Sequence, residues 1–176
     1  MFRPRKERFA RISKPCCASC RVIWSRHRDR SRDGTGAADW PKAGDEIRAQ
    51  DFGPFAREAL ARYAAVSGDD NPMHLDPNAA RAAGLAGPPV HGMLMLSCFE
   101  PLIMRCRRDL FIARLSAKFL RPVLAGEGIR VSGRVMRRRD IPRPELILRL
   151  TARARNNDVA ILGEAAVWYK TPGPLS

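Results

Sequence analysis

Long apolar runs are missing from this chain of 176 residues. A membrane-spanning helix needs roughly 18 or more consecutive apolar residues. The longest stretch here, Met93 to Met104, is interrupted by Glu100 and Pro101. No membrane span is expected. A paired cysteine framework is also missing. The five cysteines are an odd number, with Cys16, Cys17 and Cys20 in one group and Cys98 and Cys106 in another. No secretory signal frames them, which argues against a disulfide scaffold and for reduced thiols in a cytoplasmic protein. Lysine is scarce as well, 5 residues against 27 arginines.

What is present is a chain with 45% apolar residues, enough for one domain with a sizeable core. The net charge is +14. Residues 1–44 carry 12 Lys/Arg and 4 Asp/Glu, a net of +8, so a quarter of the chain holds more than half of the excess. Such a balance suits a polyanionic partner, or equally a solvated surface in an arginine-rich composition. Residues 1–43 read as a disordered basic extension, because they lack a sustained helical or strand period and cannot offset their ordering entropy by burial. Within them Cys17-x-x-Cys20 and His27 begin a zinc-like spacing, but no second pair follows. The arginines also suit an organellar transit peptide, against which Glu7, Asp29 and Asp33 count. A tail without function is the reading preferred.

The folded part is expected from 44 to 176. Residues Glu46–Asp51 suit a short strand, and Pro54 suits the first turn of a helix whose inner face is Phe55, Ala59, Tyr63 and Val66. Ser67-Gly68 ends that helix. Asp76-Pro77 caps a short helix over Asn78–Ala83 that stops at Gly84. Met93 to Arg105 is apolar nearly all round, the mark of a buried helix. From Phe111 the period becomes two: Phe111, Ala113, Leu115, Ala117 and Phe119 alternate with polar residues. The same holds around Ile129–Val135 and Leu146–Ala154, and Val159–Tyr169 makes a fourth strand. These strands read as an antiparallel meander. The fold class is α+β, an antiparallel sheet wrapped around a buried helix.

The chemistry lies in Ser67–Asp76, S-G-D-D-N-P-M-H-L-D. Gly68 permits a tight turn, Asn71 can bond local backbone, and Pro72 keeps Asn71 out of the helical region. The loop therefore presents Asp69 and His74 to one space. A carboxylate and an imidazole can together hold one water, which hydration of a double bond requires. The residues alone do not say which is acid and which is base. His91-Gly92 opens the buried helix, where the first amides lack partners and negative charge is favoured. The Gly92 N–H is placed to hold a thioester carbonyl. A turn with a packed histidine is the plainer alternative. Metal binding by Asp69, His74, Asp76 and His91 matches no usual spacing.

The run from Tyr63 to Ala80, followed by Gly84-Leu-Ala-Gly-Pro-Pro-Val-His-Gly-Met-Leu-Met, resembles the MaoC-like, (R)-specific enoyl-CoA hydratases. The resemblance covers about Gly44 to Lys170. It implies a hot-dog fold, Asp69 and His74 as the catalytic pair, and Asn71 ordering the loop. It further implies that His91, Gly92 and Met93 lie against the substrate, with the Gly92 amide on the thioester carbonyl. A homodimer is implied, and no cofactor or metal. Glu100 and Pro101 depart from the pattern and bear on the acyl pocket: Pro101 should kink or end the helix, and Glu100 needs a partner if buried. The expected activity is reversible syn hydration of a trans-2-enoyl-CoA. The alternatives are dehydration of a 3-hydroxyacyl chain on an acyl carrier protein, or a non-catalytic subunit that binds acyl thioesters. Nucleic acid is not an expected partner.

Overall fold

A computed structural model of the chain describes residues 41–106, 110–139 and 144–169. The expectations for the basic extension, including Cys17, Cys20 and His27, fall almost wholly outside these residues. Among the described residues no helix is long and apolar enough to cross a membrane.

The order of elements is β1 (Glu46–Phe52), α1 (Arg57–Ser67), α2 (Pro72–Leu75), α3 (Pro77–Ala82), α4 (Gly92–Ser97), α5 (Phe99–Cys106), β2 (Leu110–Phe119), β3 (Ile129–Arg139), β4 (Glu145–Ala154) and β5 (Val159–Tyr169). One antiparallel sheet of five strands runs in the order β1-β3-β4-β5-β2. The expected meander therefore holds only for β3-β4-β5. β2 does not lie beside β3 but crosses to the far edge and pairs with β5, and β1 lies beside β3. Periodicity identifies strands but carries no information on which neighbours pair, so the crossover is invisible to it.

The inner face of the sheet and the helices share one core, centred on Phe99, Leu102 and Ile103 of α5 against Val131, Leu148, Leu150, Ile161 and Ala165. Gly163 lets the layers meet, since a Cβ there would lie 2.6 Å from the Phe99 ring. Burying one such phenylalanine contributes roughly 1.5–3 kcal/mol. The expected single helix from Met93 to Arg105 is in fact two, broken at Cys98. Pro101 then falls in the first turn of α5, where its missing N–H costs no internal hydrogen bond. Nor is the segment buried all round: Met93, Ser97, Glu100, Pro101 and Arg105 are exposed. Glu100 thus needs no buried partner. The thiol of Cys98 is unpaired and buried, and burial pushes its pKa up to about 11.

Three local expectations are corrected. Helix α1 begins at Arg57, so Pro54 lies before it, after a cis Gly53–Pro54 bond. Its buried face centres on Leu60 and Ala64, and Val66 is 89% exposed, because two residues turn an α-helix by about 200°. In β2 a bulge between Ile112 and Arg114 reverses the alternation. Leu110 and Ile112 therefore face inward, while Phe111 meets Trp168 on the outer face.

Candidate active site

Short-range hydrogen bonds hold most of the segment from Ser67 to Asp76. Gly68 ends α1 in the left-handed conformation at φ 77°, its N–H donating to the Ala64 carbonyl at 2.9 Å. The Ser67 hydroxyl donates to the Tyr63 carbonyl at 2.7 Å and accepts from the Asp69 N–H at 3.2 Å. Asn71 caps α2, its side chain accepting from the Met73 N–H at 3.1 Å. Asp76 caps α3 in the same way, accepting from the Asn78 N–H at 2.8 Å. Both caps precede a proline at the first helical position, and each contributes about 1 kcal/mol. Asn71 thus orders the loop from within. Asp76 serves as a cap, away from the cluster formed by Asp69, His74 and His91.

His74 of this loop stacks on His91 behind it. Nδ1–H of His74 donates to the Pro89 carbonyl at 2.7 Å. A carbonyl only accepts, so the bond fixes the proton on Nδ1 and leaves Nε2 as the nitrogen free to exchange one. His91 is wholly buried, and its Nε2–H donates to the backbone carbonyl of Asp69 at 3.1 Å. The imidazoles lie 4.0 Å apart at 25°, and Tyr63 covers the assembly with its ring 4.9 Å from His91. Burial holds the pKa of His91 below its ordinary value. The bond to Asp69 opposes this, and the neighbouring His74 adds to the lowering. His91 is therefore neutral, with Nδ1 buried and without a partner. It supports the backbone of Asp69 and the ring of His74.

Asp69, His74 and His91 each place a donor atom within 4.8 Å of the others. Two hydrogen bonds of about 2.8 Å to one water span such a distance. A metal ion fits the group poorly. Near-parallel stacked rings aim their in-plane lone pairs side by side, not at one point, and one nitrogen of each ring already donates to a carbonyl.

The third element is the start of α4. His91 stands at its N-cap without a capping side-chain bond, and the N–H groups of Gly92 and Met93 have no acceptor among the described residues. The segment is anchored from the other side: the Val90 N–H donates to Val123 at 2.7 Å, and the Ala125 N–H to Pro88 at 2.8 Å. Phe119, the last residue of β2, closes over Gly92, where a Cβ would stand 2.9 Å from its ring. Sequence reasoning missed Phe119, reading it only as one more apolar residue of an alternating strand; that it is half exposed is a tertiary fact. It missed the Pro89 carbonyl also, since no side-chain pattern marks a backbone acceptor. Met93 is 58% exposed and lines a groove of about 490 Å³ with Leu96, Glu100, Met104 and Leu115.

Residues 41–151 match the family model of the MaoC like domain. The chain is 39% identical over 88 residues to a mitochondrial 3-hydroxyacyl-[acyl-carrier-protein] dehydratase of Arabidopsis thaliana, covering 50% of this chain and 52% of that protein. It thus spans about half the length of this relative. It is 32% identical over 117 residues to the (R)-specific enoyl-CoA hydratase of Aeromonas caviae, covering 64% of this chain and 85% of that protein. The solved structure of the (R)-hydratase from A. caviae superposes with a TM-score of 0.69 at 28% identity, covering 75% of this chain and 99% of the other.

Proposed function

The chain belongs to the MaoC-like domain family, and from that we propose a hydro-lyase that reversibly adds water, in the syn sense, to a trans-2-enoyl-CoA, giving an (R)-3-hydroxyacyl-CoA. The observation that carries this reading is the convergence of Asp69 with a His74 whose Nδ1 is pinned to the Pro89 carbonyl. In the forward reaction a water O–H bond breaks, the oxygen bonds to C3, and the π pair forms a C–H bond at C2. One member of the pair takes the water proton and the other supplies a proton at C2, with His74 acting through Nε2. The Gly92 amide meets the thioester carbonyl as enolate-like charge develops. His91, its pKa held below the ordinary value by burial, adds no positive charge beside the His74 ring.

The acyl chain runs into the groove between α4, α5 and β2, where the Glu100 carboxylate interrupts an otherwise largely apolar wall. A carboxylate there disfavours long apolar chains, so short or polar acyl groups are the substrates. β2 is an edge strand, and two copies are joined side by side there as a homodimer. A cytoplasmic setting suits the unpaired thiol of Cys98.

The test is hydration of crotonyl-CoA, followed as loss of the enoyl absorbance. Turnover that Asp69→Asn abolishes supports the reading, and equal turnover by parent and variant refutes the site. The Arabidopsis relative favours a second reading, dehydration of a 3-hydroxyacyl chain on a carrier protein. Comparing kcat/KM for the same acyl group on CoA and on carrier protein separates the two. A protein that binds crotonyl-CoA but turns over neither form is a non-catalytic subunit.

A further inference from the structure

The sheet face turned away from the helices carries a cleft of about 410 Å³ that the hydration chemistry does not use. Cross-strand register builds its floor and rims. Across β3, β4, β5 and β2 runs the row Arg137, Ile147, Ala166, Arg114. Ile147 and Ala166 are 8% and 5% exposed, so they form an apolar floor on a face that is otherwise solvated. The next row, Arg139, Glu145, Trp168, Phe111, closes one end.

Both flanking arginines reach this face through bulges. The β3 register shifts between Val135 and Arg137, and the β2 register between Ile112 and Arg114. Val135 and Ile112 face the core, so unbroken alternation would send Arg137 and Arg114 inward too. A single extra residue in each strand turns them outward, a recognised use of bulges. The two bulges flank the same apolar pair from opposite sides.

The guanidinium groups are underused. Arg114–Glu164 and Arg139–Glu145 each stand at 3.7 Å, beyond the ~3.2 Å limit of a good hydrogen bond. Glu145 is already engaged by the indole N–H of Trp168 at 2.9 Å. Arg137 has no carboxylate partner among the described residues. Behind them, Arg134 and Arg149 face each other directly across β3 and β4, with Glu46 and Glu164 at the two ends of the same row. The guanidinium fork matches phosphate oxygens two at a time.

We propose that this cleft is a second ligand site, binding a phosphate-bearing small molecule. Its phosphate is held between Arg137 and Arg114, and its apolar or planar body rests on Ile147, Ala166 and Trp168. The volume suits a small ligand.

The experiment uses the full chain with Trp24→Phe and Trp40→Phe, leaving Trp168 as the sole indole. Inorganic pyrophosphate and adenosine diphosphate are titrated at constant ionic strength, read by calorimetry and by Trp168 emission. Saturable binding is expected, weakened about tenfold or more by Arg137→Gln or Arg114→Gln, as loss of a charge-assisted hydrogen bond implies. Arg130→Gln, on the same face but outside the cleft, should leave it unchanged. Tighter binding of adenosine diphosphate identifies a nucleotide as the source of the phosphate; equal affinity identifies a free phosphate species. No heat and no emission change at millimolar probe overturns the proposal. So does an equal loss in Arg130→Gln, which reveals diffuse attraction. A raised KM for crotonyl-CoA in Arg137→Gln overturns it as well, by making the cleft part of the substrate site. Because the readout is binding, it stands apart from whether the chain hydrates enoyl thioesters.

Discussion

The Ser67–Asp76 loop and the arginine cleft both gather ionisable side chains, but they hold them in opposite ways. In the loop and behind it, Asn71, His74 and His91 are each fixed on a backbone group at 2.7–3.1 Å. In the cleft, the carboxylate–guanidinium distances are 3.7 Å, and Arg114, Glu164 and Arg139 are more than half exposed while Glu145 is mostly covered. The first arrangement is preorganised, as moving a proton to a defined atom requires. The second leaves donors available, as capture of an ion from solution requires. Exposed ion pairs of the second kind contribute only ~0–1 kcal/mol, so replacing them with a ligand costs little.

The contrast is sharpest in substitutions of the loop itself. Asp69→Asn and His74→Ala should each lower crotonyl-CoA hydration by about 10²–10⁴, while pyrophosphate binding at the cleft is unchanged. His91→Phe keeps a ring against Tyr63 and His74 but removes the donor to the Asp69 carbonyl. Steady-state kinetics should show kcat falling about tenfold at similar KM, since a lost hydrogen bond of this kind is worth ~1–2 kcal/mol. His91→Gln, which retains an N–H, should recover part of it. Gly92→Ala brings a methyl against the Phe119 ring. An increase in KM of several-fold to about tenfold is expected, and Phe119→Leu in the same chain should restore it by making room; persistence of the defect would locate its cause elsewhere.

Two smaller effects concern protonation and the groove. The pKa of His91 lies below the ordinary 6.5 in the folded state. The unfolded chain therefore binds more protons as pH falls below 6.5, and folding stability should decline on acidification through that region, by at most about 1.4 kcal/mol per pH unit. Denaturant melts between pH 7.5 and about 5 should show this component, and His91→Phe should lack it. Glu100→Leu should shift the kcat/KM ratio of octenoyl- to crotonyl-CoA upward by a few-fold to about tenfold, in keeping with the apolar surface that each added carbon buries against leucine. Charge reversal on the cleft should not alter that ratio.

The fold class, the loop and its two caps were legible in the chain because their causes are local. Asn71-Pro72 and Asp76-Pro77 dictate their own turns through bonds to residues two positions away. Val159–Tyr169 was legible as a strand. The break at Cys98 was foreshadowed by Pro101, though the continuous burial read for that segment was not found. The strand order, the outward turn of Phe111 and the part played by Phe119 depend on partners far away in sequence. A bulge leaves almost no composition signal, yet it reverses every side chain beyond it.

By itself the sequence determined that one loop would be stiff and would present Asp69 and His74, since caps, glycine and proline act within a few residues. Only the tertiary structure decided what that pair can do. The Pro89 carbonyl selects the free nitrogen of His74, and the buried neutral ring of His91 supports it from behind. The same packing brings Arg114 and Arg137 across two intervening strands to one apolar floor. These are contacts between residues many positions apart, and their geometry follows from which strands pair and where the register slips.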